Sequence, residues 1–204
     1  KQGDPAFAGC KVVALFHPPG NPDVEFSVEQ LSKFTQTVKK NGVELVSSMK
    51  QLLNQCDAVM LLTNDGRPHM EQILPVLKAG KPVFVDKPVA ESLSAVVALY
   101  EAARKYRTPI FSCSPLRYVR DIDQLRAGAL AGEITGADTY GPAPVQKSHA
   151  PLFWDGIHGI ELLYTVMGPG CKSVSASSST GADVVIGTWE GGKLGVFRGL
   201  RKGK

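Results

Sequence analysis

The sequence predicts an α/β fold: an incomplete doubly wound parallel sheet, followed by part of an α+β domain with an antiparallel sheet. Three observations carry this expectation. Short apolar runs alternate with helical periodicity through the first half of the chain. Those runs are continuous rather than alternating, as strands buried on both faces require. From about Leu116 the alternation ends, and the stretch DVVIGTWEGGKLGVFRGLR reads as two strands around Glu190-Gly191-Gly192.

Each element has a local reason. KVVALF (Lys11 to Phe16) is a strand. Ser27 opens a helix with Gln30 as its capping-box partner, and Val28, Leu31, Phe34 and Val38 fall at helical spacing before Gly42. VELV is a short strand, and SMKQLLNQC a short helix capped by a serine. DAVMLLT (Asp57 to Thr63) is a buried strand. Pro68 suits the first turn of the next helix, whose apolar face is Met70, Ile73, Leu74 and Leu77 and which Gly80 closes. PVFVD, a helix from Leu93 to Tyr106, and PIFSC complete the alternation, which predicts a sheet covered on both faces. Beyond it come a helix over Ile122 to Ala131, a strand from GADTY, a proline-rich loop over 141–151 and a helix from Phe153 to Met167. The stretch SASSSTG reads as a short low-complexity segment.

The 204 residues carry a net charge of +4, 43% hydrophobic and 21% charged residues, which permits a packed core. The charges are scattered, so a nucleic-acid surface is not expected. No run is apolar enough to span a bilayer. The four cysteines, Cys10, Cys56, Cys113 and Cys171, are far apart and read as free thiols. No Cys/His spacing suggests a metal site.

In a doubly wound sheet, ligands bind beyond the C-terminal ends of the strands. Two ends are unusual here. Asn64-Asp65-Gly66-Arg67-Pro68-His69 leads into a helix N-terminus, where free N–H groups favour anions. It reads otherwise as a plain loop. PVFVD ends in Asp86-Lys87-Pro88, either a solvated charge pair or a lysine reaching a ligand. A third constellation lies in FWDGIHGIELLYTVMG. Ile160, Leu163, Tyr164 and Met167 share one helical face, and Asp155, His158 and Glu161 lie roughly opposite. An imidazole suits proton transfer, and neighbouring carboxylates are expected to raise its pKa and orient the ring.

The stretch DAVMLLTNDGRPHMEQILPVLKAGKPVFVDKPVAES resembles the Gfo/Idh/MocA family, the relatives of glucose–fructose oxidoreductase and inositol dehydrogenase. The matching positions are Thr63-Asn64, His69, Ala79-Gly80-Lys81 and Asp86-Lys87-Pro88. GEITGAD and DGIHGIELLYTVMG resemble the family's later elements, with His158 on its histidine and Glu161 on its second acid. The resemblance implies a Rossmann-type dinucleotide-binding domain over 1–115 and a substrate and oligomerisation domain over 116–204. It implies an oxidoreductase acting on CH-OH groups, which moves a hydride between NAD or NADP and a sugar or polyol. Lys87, His158 and Asp155 are its implied catalytic residues. Thr63, Asn64, Gly66, Arg67, His69, Asp86, Lys87 and Pro88 would hold the cofactor, and Arg117, Tyr118 and Glu161 the substrate. No metal, nucleic-acid or membrane partner is implied. A homo-oligomer, dimer or tetramer, and a cytoplasmic location are expected, with the periplasm as the alternative compartment.

The chain departs from the family pattern in three places. Trp154 stands where the family has its first acid, and Asp155 follows one residue late. The TNDGRPH turn is one residue longer than usual. No G-x-G-x-x-G motif occurs, and the five expected strands match strands two to six of the order 3-2-1-4-5-6. The central strand would then be missing, so the sequence reads as a fragment cut at both ends, with Lys1 to Gly9 a loop before strand two. His17 stands near the expected ribose acid, which leaves NAD against NADP open. The alternative function is a non-catalytic sugar- or nucleotide-binding homologue.

Overall fold

A computed structural model of the chain describes residues 9–18, 21–24 and 27–202, without the side chains of 27–29. The Ser27 cap and most of the expected loop Lys1 to Gly9 therefore lie outside the described residues. The first half alternates as expected: β1 (Ala14–Leu15), α1 (Ser27–Lys40), β2 (Glu44–Leu45), α2 (Met49–Gln55), β3 (Val59–Leu61), α3 (His69–Lys78), β4 (Val83–Val85), α4 (Leu93–Tyr106) and β5 (Ile110–Phe111). The serines do the capping. Ser48 accepts from the Gln51 N–H and Ser92 from the Ala95 N–H, each satisfying a helix-end donor that has no partner within the helix.

The strands form two parallel sheets rather than one. β1 pairs with β2, β4 lies between β3 and β5, and no ladder joins β1 to β3 among the described residues. The division falls where the expected order places a central strand. Ile73, Val76 and Leu77 of α3 and Leu99 and Ala103 of α4 pack with Val59, Val83 and Val85 into one core. Burying each of these Val, Leu and Ile side chains contributes about 1.5–3 kcal/mol. Among the described residues the opposite face is largely open. Met60 and Phe111 are 63% and 57% exposed, against the expectation of a sheet covered on both sides.

After a 3₁₀ turn (Pro115–Tyr118) come α5 (Ile122–Arg126), β6 (Gly136–Pro142), α6 (Gly156–Met167), β7 (Cys171–Ser178), β8 (Ala182–Trp189) and β9 (Leu194–Leu200). α5 ends five residues before the expected Ala131, just ahead of Gly128, whose φ of 74° leaves the helical region. The second sheet runs β6-β9-β8-β7. It is mixed rather than antiparallel, because β6 runs parallel to β9. The end of β7 falls in the SASSSTG stretch expected as low complexity, and no strand was expected over it. Its serines are exposed along the strand, so it has no apolar face to announce it.

α6 crosses this sheet and packs Leu163 against Trp189 and Phe197. A Cβ on Gly159 would lie 2.3 Å from Phe197 Cε2, so the helix approaches the ring this closely only with glycine there. The helix begins at Gly156, not Phe153. Asp155 takes the cap position, but its side chain makes no cap hydrogen bond. Tyr164, expected on the packed face, is 40% exposed, although its ring lies 5.2 Å from that of Trp189.

Candidate functional site

The C-terminal ends of β3, β4 and β5 share one edge, and the N-terminal half of α6 lies against it. The β3–α3 turn is built tightly. A Cβ on Gly66 would sit 2.8 Å from the Ala90 carbonyl carbon, so the turn nests against the backbone that follows β4. Asp65, 3% exposed, accepts the Arg67 N–H at 3.0 Å and its Nε–H at 2.9 Å. Burial alone would raise the Asp65 carboxyl, but the hydrogen bonds from Arg67 outweigh it and hold the group below its ordinary value. The same guanidinium donates to both oxygens of Asp23, at 2.8 and 2.6 Å, and so ties the segment after β1 to the turn after β3.

His69 lies beneath this edge rather than on it. The residue is fully buried, with Nδ1 3.0 Å from the Val89 carbonyl and Nε2 2.8 Å from that of Thr63. It ties the end of β3 to the segment after β4, so Thr63 and Lys87 are held in register.

Lys87 is the meeting point of the two halves. Its Nζ donates to the Trp154 carbonyl at 2.7 Å and lies 3.6 Å from Asp155 Oδ1. It also sits 4.8 Å from the centroid of the Trp154 ring. The displaced acid therefore does reach the lysine, and Trp154 adds a carbonyl and a π face. The Lys87–Pro88 peptide is cis. Across the indole stands His149, its ring 4.7 Å away and its Nδ1 2.8 Å from Ser148 Oγ. Burial lowers the His149 pKa.

His158, 2.7 Å from Ser114 Oγ through Nδ1, completes the group. Its pKa lies below the ordinary value. Burial is the main cause and the Lys87 charge the second, with Asp155, Asp86 and Glu161 opposing both. The expected upward shift therefore does not occur. The Glu161 carboxylate does not bond the ring: it accepts the Ser114 N–H at 2.7 Å and the Arg117 Nε–H at 2.8 Å. Glu161 and Arg117 thus hold the segment after β5 against α6. The hydrogen bond to Glu161 raises the Arg117 pKa further. Tyr118 projects outward, 68% exposed. Asp86 donates its backbone N–H to Leu61 at 2.9 Å, an extension of the β3–β4 ladder.

Sequence reasoning missed Ser114, Trp154 and His149 as parts of this group. The only signal for Ser114 was a serine before Pro115 at a turn, and its cap role is real: Ser114 Oγ accepts the Leu116 N–H at 3.2 Å. No metal-binding group of His, Cys, Asp and Glu occurs among the described residues.

The sequence model of GFO_IDH_MocA, an oxidoreductase family with an NAD-binding Rossmann fold, matches residues 11–112, half of the chain. The chain belongs to this family. Its sequence is 34% identical over 86 residues to the inositol 2-dehydrogenase of Azotobacter vinelandii, covering 42% of this chain and 23% of that protein. The Gfo/Idh/MocA chain also superposes on an NAD-binding protein of Listeria innocua (TM-score 0.71, 21% identity, 94% of this chain and 60% of that one). The WlbA dehydrogenase of Bordetella pertussis, solved with NADH and UDP-GlcNAcA, gives a TM-score of 0.68 at 19% identity, over 85% of this chain and 57% of that one. At these identities the structural likeness is one of fold. The chain spans less than two thirds of the length of each of these relatives.

Proposed function

We propose that this chain forms part of an oxidoreductase that moves a hydride between a nicotinamide cofactor, NAD or NADP, and a sugar, polyol or related alcohol. The observation that carries the reading is the convergence of Lys87, at the end of a parallel strand, with Asp155 and His158 from the helix opposite. The names of the relatives support it: one is an inositol dehydrogenase and another a dehydrogenase solved with NADH and a nucleotide sugar. In this reading residues 1–115 hold the dinucleotide and 116–204 present the substrate.

The donor set suits the nicotinamide and ribose half of such a cofactor. Thr63, Asn64, Asp86 and Lys87 line one strand-end edge, with Pro88 fully buried and the Lys87 side chain only 18% exposed. The cofactor, when bound, supplies the hydride acceptor or donor. The chain's own residues do the rest. Oxidation of a carbinol requires removal of its hydroxyl proton and stabilisation of the developing negative charge. His158 is the proton-transfer group and is neutral near pH 7, because burial and Lys87 disfavour its protonated form. Lys87 supplies positive charge in a partly desolvated place, where it counts for more than in water. Asp155 and the Trp154 carbonyl orient the ammonium. His69, Glu161 and Arg117 hold the strand ends and α6 in position, and Tyr118 stands at the outer rim. No described helix is long and apolar enough to cross a membrane. A cytoplasmic homo-oligomer is consistent with the family reading.

NADH fluorescence titration, followed by turnover on a panel of cyclic polyols and sugars, tests the proposal. Binding with turnover supports it. Binding with no turnover on any polyol or sugar favours a non-catalytic homologue.

A further inference from the structure

His158 is oriented by an uncharged hydroxyl, and the hydrogen bonds around that hydroxyl determine which ring nitrogen carries the proton. Ser114 is 1% exposed. A hydroxyl has one hydrogen to donate and two lone pairs. One lone pair of Ser114 Oγ already accepts the Leu116 N–H. Among the described residues the one acceptor within reach of the hydroxyl hydrogen is His158 Nδ1, at 2.7 Å. If Nδ1 carried a proton instead, the hydroxyl hydrogen would be left buried without an acceptor, which is costly. The hydroxyl is held in place by the Leu116 N–H and by burial, and the backbone beneath it by the Ser114 N–H bond to Glu161.

We propose that Ser114 is a positioning residue that holds neutral His158 in its Nε2–H form, so that the resting site offers a hydrogen-bond donor to the reacting oxygen. A carboxylate in the place of Ser114 would only accept, and would force the proton onto Nδ1. Glu161, the acid nearest this pair in the hydrogen-bond network, is spent on Ser114 and Arg117. His158 Nε2 makes no hydrogen bond among the described residues, which leaves it for a ligand. A donor there, close to the Lys87 ammonium, matches a carbonyl oxygen. The resting site is therefore set for the carbonyl partner of the reaction, and oxidation of the alcohol first requires the hydroxyl to rotate and the ring proton to move to Nδ1. The identity of that oxygen rests on the oxidoreductase reading. The Ser114–His158 assignment does not.

The test is nitrogen NMR of the 204-residue chain labelled at histidine. The chain has four histidines, and loss of a signal pair in His158→Gln assigns the ring. Above the ring's titration, wild type is expected to show a protonated Nε2 and a bare Nδ1. Ser114→Ala is expected to move both signals toward an exchanging mixture, and Ser114→Thr, which keeps the hydroxyl, to retain the wild-type pattern. A wild-type ring protonated at Nδ1 overturns the proposal without any variant. So does an unchanged pattern in Ser114→Ala, or a mixture in Ser114→Thr as well as in Ser114→Ala, since that traces the effect to packing. NADH binding is measured separately by fluorescence. Loss of binding with the tautomer intact sinks the cofactor reading and leaves Ser114 in its role.

Discussion

The ammonium of Lys87 lies 2.7 Å from the backbone carbonyl of Trp154, a residue 67 positions further along the chain. This contact joins a Rossmann strand end to the start of α6, and it places charge and imidazole on the same side of the sheet. Lys87→Met keeps the stem of the side chain and removes the charge. Turnover should fall by about 10²–10⁴-fold, the usual range for an acid–base or electrostatic group, while the thermal midpoint changes little. Steady-state kinetics beside a melting curve read both.

His158 has a depressed pKa, so its unfolded form binds a proton more readily than its folded form. The sign follows from linkage: between the ordinary value of about 6.5 and the lower folded value, the unfolded state binds more protons, and stability falls as pH falls. His149 acts in the same direction. Proton NMR titration of the His158 ring should give a midpoint below 6.5, and the acid limb of any turnover profile should follow that midpoint. A midpoint above 6.5 would contradict the burial argument.

Gly159→Ala places a Cβ where Phe197 Cε2 stands, 2.3 Å away. The ring is fully buried, packed with Leu163 and Trp189. Overpacking of this kind costs about 1–3 kcal/mol. Urea denaturation should show a lower midpoint with an unchanged slope.

Arg67→Ala leaves the Asp65 carboxylate buried without its main donor. The expected loss is about 1–3 kcal/mol at neutral pH. Arg67 holds the Asp65 pKa down, so the stabilisation is present at neutral pH and is lost as pH falls through the folded value. The gap between wild type and variant should therefore narrow in acid, as read by denaturation at a series of pH values.

Much of the first half could be read locally. The helix from Leu93 to Tyr106 has the bounds expected of it, with Ser92 capping one end and Arg107, at a φ of 53°, leaving the helical region at the other. The lysine and the histidine were legible from residue type and spacing. Their setting was not. Ser114 meets His158 across 44 positions, and no local pattern announces a pairing between a turn serine and a helix in the next core. The resemblance implied His69 as a cofactor residue, and only packing shows both its ring nitrogens engaged by carbonyls. Glu161 shares a face with His158, but the Ser114 N–H and Arg117 claim its oxygens. β7 was hidden because an edge strand with polar side chains on both faces has no apolar alternation to detect.

The separation of β1–β2 from β3–β4–β5 has a consequence for how the chain opens. With no ladder shared among the described residues, the two-stranded piece is linked to the larger sheet through α2 and the carboxylates gripped by Arg67. Cooperative unfolding units tend to follow such divisions. Backbone amides of Glu44 and Val46 should exchange with deuterium much faster than those of Val83 and Asp86, and high salt should widen the difference by weakening the ionic grip at the half-exposed Arg67.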